Sequence, residues 1–170
     1  MAVYMIPEEP KEFDPRSHED VVFNALKNNY EGDEDFYVFH SYNAVAYNNS
    51  DNVLYDRDLD FVIASPKKGL ICIEVKAGDS IFYSGTDREW YYSSGRKMEH
   101  HGPYKQAAGA MRALRDKIEY NRLGKVRVLL DKCRFISAVC FVDMKKADFL
   151  SQPGLPEEAT IQLTILQDGL

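Results

Sequence analysis

Three ionisable residues interrupt apolar chain at what a hairpin would make a single sheet end. Asp60 opens the run FVIA (residues 61–64), and Glu74 and Lys76 close the run LICIEVK (residues 70–76). Side chains two apart on a strand share a face, so Glu74 and Lys76 point the same way while Ile71, Ile73 and Val75 face the opposite layer. The PKKG between the runs is turn chemistry, with Gly69 closing it. A hairpin there lays the start of the first strand beside the end of the second, bringing Asp60 within reach of Glu74. Two carboxylates and an ammonium in that arrangement suit a hard divalent ion such as Mg²⁺ or Mn²⁺, which keeps several waters for chemistry. An E-x-K tripeptide alone is common on solvent-facing strands. These charges gain meaning from the hydrophobic runs around them, because half-buried charges need partners or a metal.

The elements that would position them follow from the rest of the chain. Ser17 is a candidate N-cap for a first helix over HEDVVFNALKNN, with Val21, Val22, Ala25 and Leu26 at helical spacing and two acids in the first turn. FYVFHSYNAVAY (residues 36–47) is β-branched and aromatic, and NNSDN after it reads as a turn. SIFYSG and REWYYSSG read as short strands. PYKQAAGAMRALRDKIEYNRLG reads as a second helix from Pro103 to Gly124, CRFISAVCFVD as a buried strand and TIQLTIL as a last, alternating one. This order suggests an α/β fold, a mixed central sheet with helices packed on it.

Composition bounds the function. The 170 residues suit one domain, and 45% hydrophobic against 28% charged is a globular composition. No apolar run approaches the length of a membrane span, so no membrane is expected. Cys72, Cys133 and Cys140 are odd in number and sit in apolar stretches, which reads as buried thiols in a reducing cytoplasm. There is no phosphate loop, no G-x-G-x-x-G, no H-E-x-x-H and no G-x-S-x-G. The acids at Asp56, Asp58 and Asp60 do not make a calcium loop, since Phe61 stands where glycine is needed and Lys67 where a bidentate glutamate is needed. The net charge of −6 hides a polarity: residues 96–134 carry eleven basic and four acidic side chains. Arg96, Lys97, Lys105, Arg112, Arg115, Lys117, Arg122, Lys125, Arg127, Lys132 and Arg134 could form a phosphate-facing strip or, alternatively, a solvated helix face and loop.

With those residues in view, the sequence resembles the PD-(D/E)xK nuclease superfamily, and within it the nuclease-related domain, NERD. The resemblance covers about residues 17–143. It rests on Glu19 in the first helix, on LDFVIASPKKGLICIEVKAG as a D-x-V-(x)-G-(x)-I-E-x-K core, on Trp90 in the following strand, and on GPYKQ, where Pro103 and Gln106 are similar to the family's N-P-x-x-Q. Gly102 stands where the family often has Asn, and the pattern gives His100 and His101 no role. The fold implied is restriction-endonuclease-like, an αβββαβ core.

The resemblance also implies roles. Asp60 and Glu74 would be metal ligands with the Val75 carbonyl a third, Lys76 would orient or help deprotonate the attacking water, and Glu19 would reach the metal directly or through water. Gln106 would brace the site or touch phosphate, and Lys97, Lys105, Arg112 and Arg115 would hold the nucleic acid backbone. The expected activity is Mg²⁺- or Mn²⁺-dependent hydrolysis of DNA, RNA not being excluded, in repair or processing. The alternatives are a DNA-binding module that keeps the fold but cuts little, and a protein-interaction domain. Because the family is often joined to other domains, a fused or associated helicase domain is expected, with this chain the amino-terminal part of a longer protein. Two side expectations concern rings: Tyr91, Tyr92 and Tyr104 either stack on unpaired bases or pack on the sheet with Trp90. Adjacent His100 and His101, with no Cys or third His nearby, make a poor zinc site.

Overall fold

The β-branched and aromatic run after residue 35 and the apolar run before the PKKG turn form the two longest strands, and the sheet is built outward from them. The computed structural model describes residues 2–10, 13–48, 53–120 and 132–170. In chain order the elements are β1 (Val3–Ile6), α1 (Glu19–Asn28), β2 (Phe36–Asn48), β3 (Val53–Ser65), β4 (Gly69–Lys76), β5 (Phe82–Ser84) and β6 (Glu89–Tyr91). They continue with α2 (Pro103–Tyr120), β7 (Phe135–Phe141), α3 (Lys146–Ser151) and β8 (Thr164–Leu166). Six strands form one sheet in the order β1-β2-β3-β4-β7-β8, and β5 and β6 pair separately. The β2–β3 and β3–β4 pairs are antiparallel, while β1–β2, β4–β7 and β7–β8 are parallel, so the sheet is mixed. Helix, three strands, helix, strand is the order of α1, β2, β3, β4, α2 and β7, the nuclease-like core expected from the sequence.

The strands' two-residue alternation sorts the core into layers. On one face α1 sets Val22 and Phe23 against Val38, Phe61, Ile73 and Val75. On the other, α2 presents Ala110, Ala113 and Leu114 to Leu59, Val62 and Cys72, and alanines at the contact let its axis approach the sheet closely. Beyond β4, Trp90 packs on Tyr104 and Phe141 with ring centres 5.7 and 5.6 Å away. The β3–β4 turn closes on Gly69 at φ +105, where any Cβ would run into the Arg134 backbone. No helix among the described residues is long and apolar enough to cross a membrane.

Several local expectations change. Ser17 does not cap α1 in the usual way: its hydroxyl takes the Glu19 N–H at 3.3 Å and donates to the Asp14 carbonyl at 2.9 Å, and His18, in left-handed geometry, precedes the helix. Of TIQLTIL only residues 164–166 are strand, because β8 pairs with β7 solely opposite Val139, Cys140 and Phe141. Residues 161–163 coil into a 3₁₀ turn instead. β1 and α3, of four and six residues, are too short for periodicity to reveal. The expected helix end at Gly124 and the centre of the NNSDN turn lie outside the described residues. Cys72 and Cys140 are buried as expected, but Cys133 is only half-buried.

Candidate active site

Backbone pairing between β3 and β4 runs from Ser65–Gly69 to Phe61–Ile73 and stops there. One residue beyond, the Asp60 carboxylate takes over, its Oδ2 accepting the Val75 N–H at 2.7 Å. In a strand the N–H and C=O of one residue point to the same side. The Val75 carbonyl therefore also projects toward β3, past the last ladder bond, while the Lys76 carbonyl turns the other way to accept the Val142 N–H. On the even-numbered face Lys76 Nζ donates to Glu74 Oε1 at 2.6 Å. Glu74 is 3% exposed and the Lys76 side chain 14%.

Two helix starts complete the arrangement. Glu19 is the first residue of α1. That helix is tethered to the strand ends by His18, whose Nδ1 lies 3.0 Å from Asp143 Oδ1, while Asp143 Oδ2 accepts the Gly78 N–H at 2.7 Å. Gln106 lies in the first turn of α2, its N–H donating to the Gly102 carbonyl at 3.1 Å. Glycine suits that position: Gly102 sits at φ +100, and a Cβ on it would strike the Trp90 ring. Glu19, Asp60, Glu74, Val75, Lys76 and Gln106 line a single cavity of about 520 Å³, together with Asp14, Arg16, Ser17, Ala77, Tyr92 and Arg96.

The charges in this cavity strain one another. Burial, followed by the charge of Asp60, pushes the Glu74 carboxyl up to about 7 against the pull of Lys76. Burial also raises Asp60, opposed by the Val75 hydrogen bond, and burial with the Asp60 charge raises Glu19. For Lys76 burial is the largest single influence and lowers its pKa, but Glu74, Tyr92 and Asp60 together outweigh it, so the ammonium titrates above its ordinary value. Three carboxylates whose pKa values are raised chiefly by burial form a donor set that a hard cation would relieve. Among the described residues no three His, Cys, Asp or Glu side chains stand in metal-holding geometry. A cation here would be held by Asp60, Glu74, the Val75 carbonyl and water, a set of oxygens suited to Mg²⁺ or Mn²⁺.

The other expected site residues spread outward. Lys105, Arg112 and Arg115 lie on the exposed face of α2, with the Arg115 guanidinium 6.0 Å from the Phe135 ring centre. Lys97 is ion-paired with Glu89 at 2.8 Å. Arg122, Lys125 and Arg127 lie outside the described residues. Among the rings, Tyr104 is 6% exposed and shares a 2.6 Å hydrogen bond with Thr164, so it cannot stack on a base. Tyr91 stacks on Phe82 and bonds Asp87, leaving Tyr92 as the tyrosine at the cavity. His101 lies 3.3 Å from Glu89, and both His100 and His101 have positive φ in the turn before α2. Sequence reasoning missed Asp14, Arg16 and Asp143, and left Arg96 as one member of a basic strip. No motif marks them, because loop contacts gather them.

A family model described as NERD, nuclease-related domain, matches residues 15–142. No curated protein and no solved structure matches the chain.

Proposed function

The chain belongs to the nuclease-related domain family, and from that premise we propose that it is a metal-dependent nuclease hydrolysing DNA phosphodiester bonds in repair or processing. The observation that carries this reading is the convergence of Glu19, Asp60, Glu74, Val75, Lys76 and Gln106 on one polar cavity. A bound Mg²⁺ or Mn²⁺ would lower the pKa of its water and offset charge building on the phosphate. Asp60, Glu74 and the Val75 carbonyl supply the oxygens that hold it, with Glu19 reaching in from the start of α1. Lys76, 2.6 Å from Glu74 on the same face of β4, is placed to orient or help deprotonate the attacking water and to stabilise developing negative charge. Gln106 braces the cavity from the first turn of α2, a turn without acids whose positive end suits phosphate. Lys105, Arg112 and Arg115 hold the DNA backbone along the exposed face of that helix.

The test is cleavage of labelled single- and double-stranded DNA with Mg²⁺ or Mn²⁺, run beside chelator controls. Metal-dependent cutting is expected. Salt-dependent DNA binding with no cutting in either metal would replace the enzyme with a binding module, and no binding at low salt would remove nucleic acid altogether.

A further inference from the structure

Three cations line the polar cavity, and two are already engaged. Arg16 is held by Asp14 with Nε 3.2 Å from Oδ1, and Lys76 by Glu74 at 2.6 Å. Arg96 is in no ion pair among the described residues. Its guanidinium carbon lies 4.8 Å from the centre of the Tyr92 ring. The backbone builds that contact: after β6 the chain turns back, with the Tyr92 N–H donating to the Arg96 carbonyl at 3.0 Å and the Gly95 N–H to the Tyr92 carbonyl at 2.8 Å. Tyr92 itself packs on the cluster that holds Trp90 and Phe141. A guanidinium over an aromatic ring keeps its N–H fork free for a bidentate anion. The neighbouring cation, Lys97, is taken by Glu89 at 2.8 Å, so of two adjacent basic residues it is Arg96 that lines the cavity with its charge unmatched.

We propose that Arg96, braced by Tyr92, is the cavity's phosphate-binding residue, gripping a backbone phosphate of the strand beside the bond that is cut. The nuclease reading supplies the identity of the strand, but the binding itself can be measured without turnover. The carboxylates Asp14, Glu19, Asp60 and Glu74 otherwise give the cavity a negative lining. An unmatched guanidinium at its wall is what makes the entry of a polyanion favourable there.

The experiment measures binding of a short single-stranded oligonucleotide against salt concentration, with Ca²⁺ in place of Mg²⁺ or Mn²⁺ so that nothing is cut. Arg96→Ala should bind about tenfold more weakly, with the slope of log affinity on log salt shallower by about 0.7, the loss of one single-strand phosphate contact. Tyr92→Ala should weaken binding while keeping the slope, since the charge remains and only its placement is lost. Tyr92→Phe keeps the ring and should bind like the wild type. Arg96 is exposed, so thermal melting of Arg96→Ala should match the wild type and exclude misfolding as the cause. Wild-type affinity and slope in Arg96→Ala overturn the assignment, and equal losses in Tyr92→Phe and Tyr92→Ala overturn the bracing role. A protein with the expected binding pattern that cuts nothing in Mg²⁺ or Mn²⁺ removes the nuclease reading and leaves Arg96 in place. A protein that cuts, and whose Arg96→Ala variant binds as the wild type does, gives the reverse.

Discussion

Two cavities of similar size adjoin β4, about 520 Å³ and about 430 Å³, and they are opposites in chemistry. The first is lined by Glu74 and Lys76 of that strand, the second by Ile71 and Ile73, with Val22 and Leu26 of α1 closing it. One eight-residue strand supplies both, because successive side chains point to opposite faces. The apolar cavity borders the hydrophobic layer under α1, and among the described residues no charged side chain lines it. The polar cavity opens where β3–β4 pairing has ended at Phe61–Ile73, and there the Val75 carbonyl lies past the ladder beside the carboxylates of Asp60 and Glu74. Volume says little about function here; the difference lies in whether the ladder continues or stops.

The sharpest way to break this contrast is Lys76→Ala. It should lower cleavage by about a thousandfold, roughly 4 kcal/mol of transition-state stabilisation, while DNA binding and fold persist. Cleavage by Lys76→Ala at the wild-type rate would sink the assignment. Ile73→Ala, one residue from Glu74 but on the apolar side, should cost about 3 kcal/mol of stability in denaturant titration. Its cleavage per folded molecule should be unchanged, and a large loss there would merge the two sides.

The third test is electrostatic. A carboxyl whose folded pKa lies above its unfolded value keeps a proton in the fold that the unfolded chain has released, so stability falls as pH rises between the two. With Glu74 pushed up from its ordinary 4.5 to about 7, that carboxyl should cost the metal-free protein roughly 3 kcal/mol between about pH 4.5 and above pH 7. Glu74→Gln does not titrate, so its melting temperature in chelator should rise relative to the wild type across that window. A pH-independent difference would mean that the polar side is not strained. Mg²⁺ or Mn²⁺ at about a hundred times Kd should add roughly 2 to 3 kcal/mol of stability. Asp60→Asn should lose that gain, whereas an equal shift in both proteins would argue against Asp60 as a ligand. The smallest effect is expected from the double reversal Arg112→Glu, Arg115→Glu, away from either cavity. DNA affinity should fall about tenfold, about 1.4 kcal/mol, with a flatter salt dependence and an unaltered metal response.

The hairpin, both principal helices and the buried strand after α2 were legible because each combines a long periodic run with a terminal signal, PKKG for the hairpin and Pro103 for α2. What escaped was short or paired at a distance. β1 is four residues long and exists because it runs parallel beside β2, more than thirty positions away. At the site, Asp60, Glu74 and Lys76 could be brought together from strand alternation alone. Asp143 could not, since its bonds to His18 and Gly78 span 125 and 65 residues.

By itself the sequence determined which side of β4 is polar, that Asp60 meets Glu74, and that the chain has the αβββαβ order. These are local consequences of period-two geometry, hydrophobic patterning and a tight turn. Only the tertiary structure decided among residues of the same type. It buried Tyr104 and left Tyr92 at the cavity, and it tied Lys97 to Glu89 while leaving the guanidinium of Arg96, one position earlier, unmatched. A side chain's type and strand phase are written along the chain, but the partner that occupies it is set by packing between segments far apart in sequence.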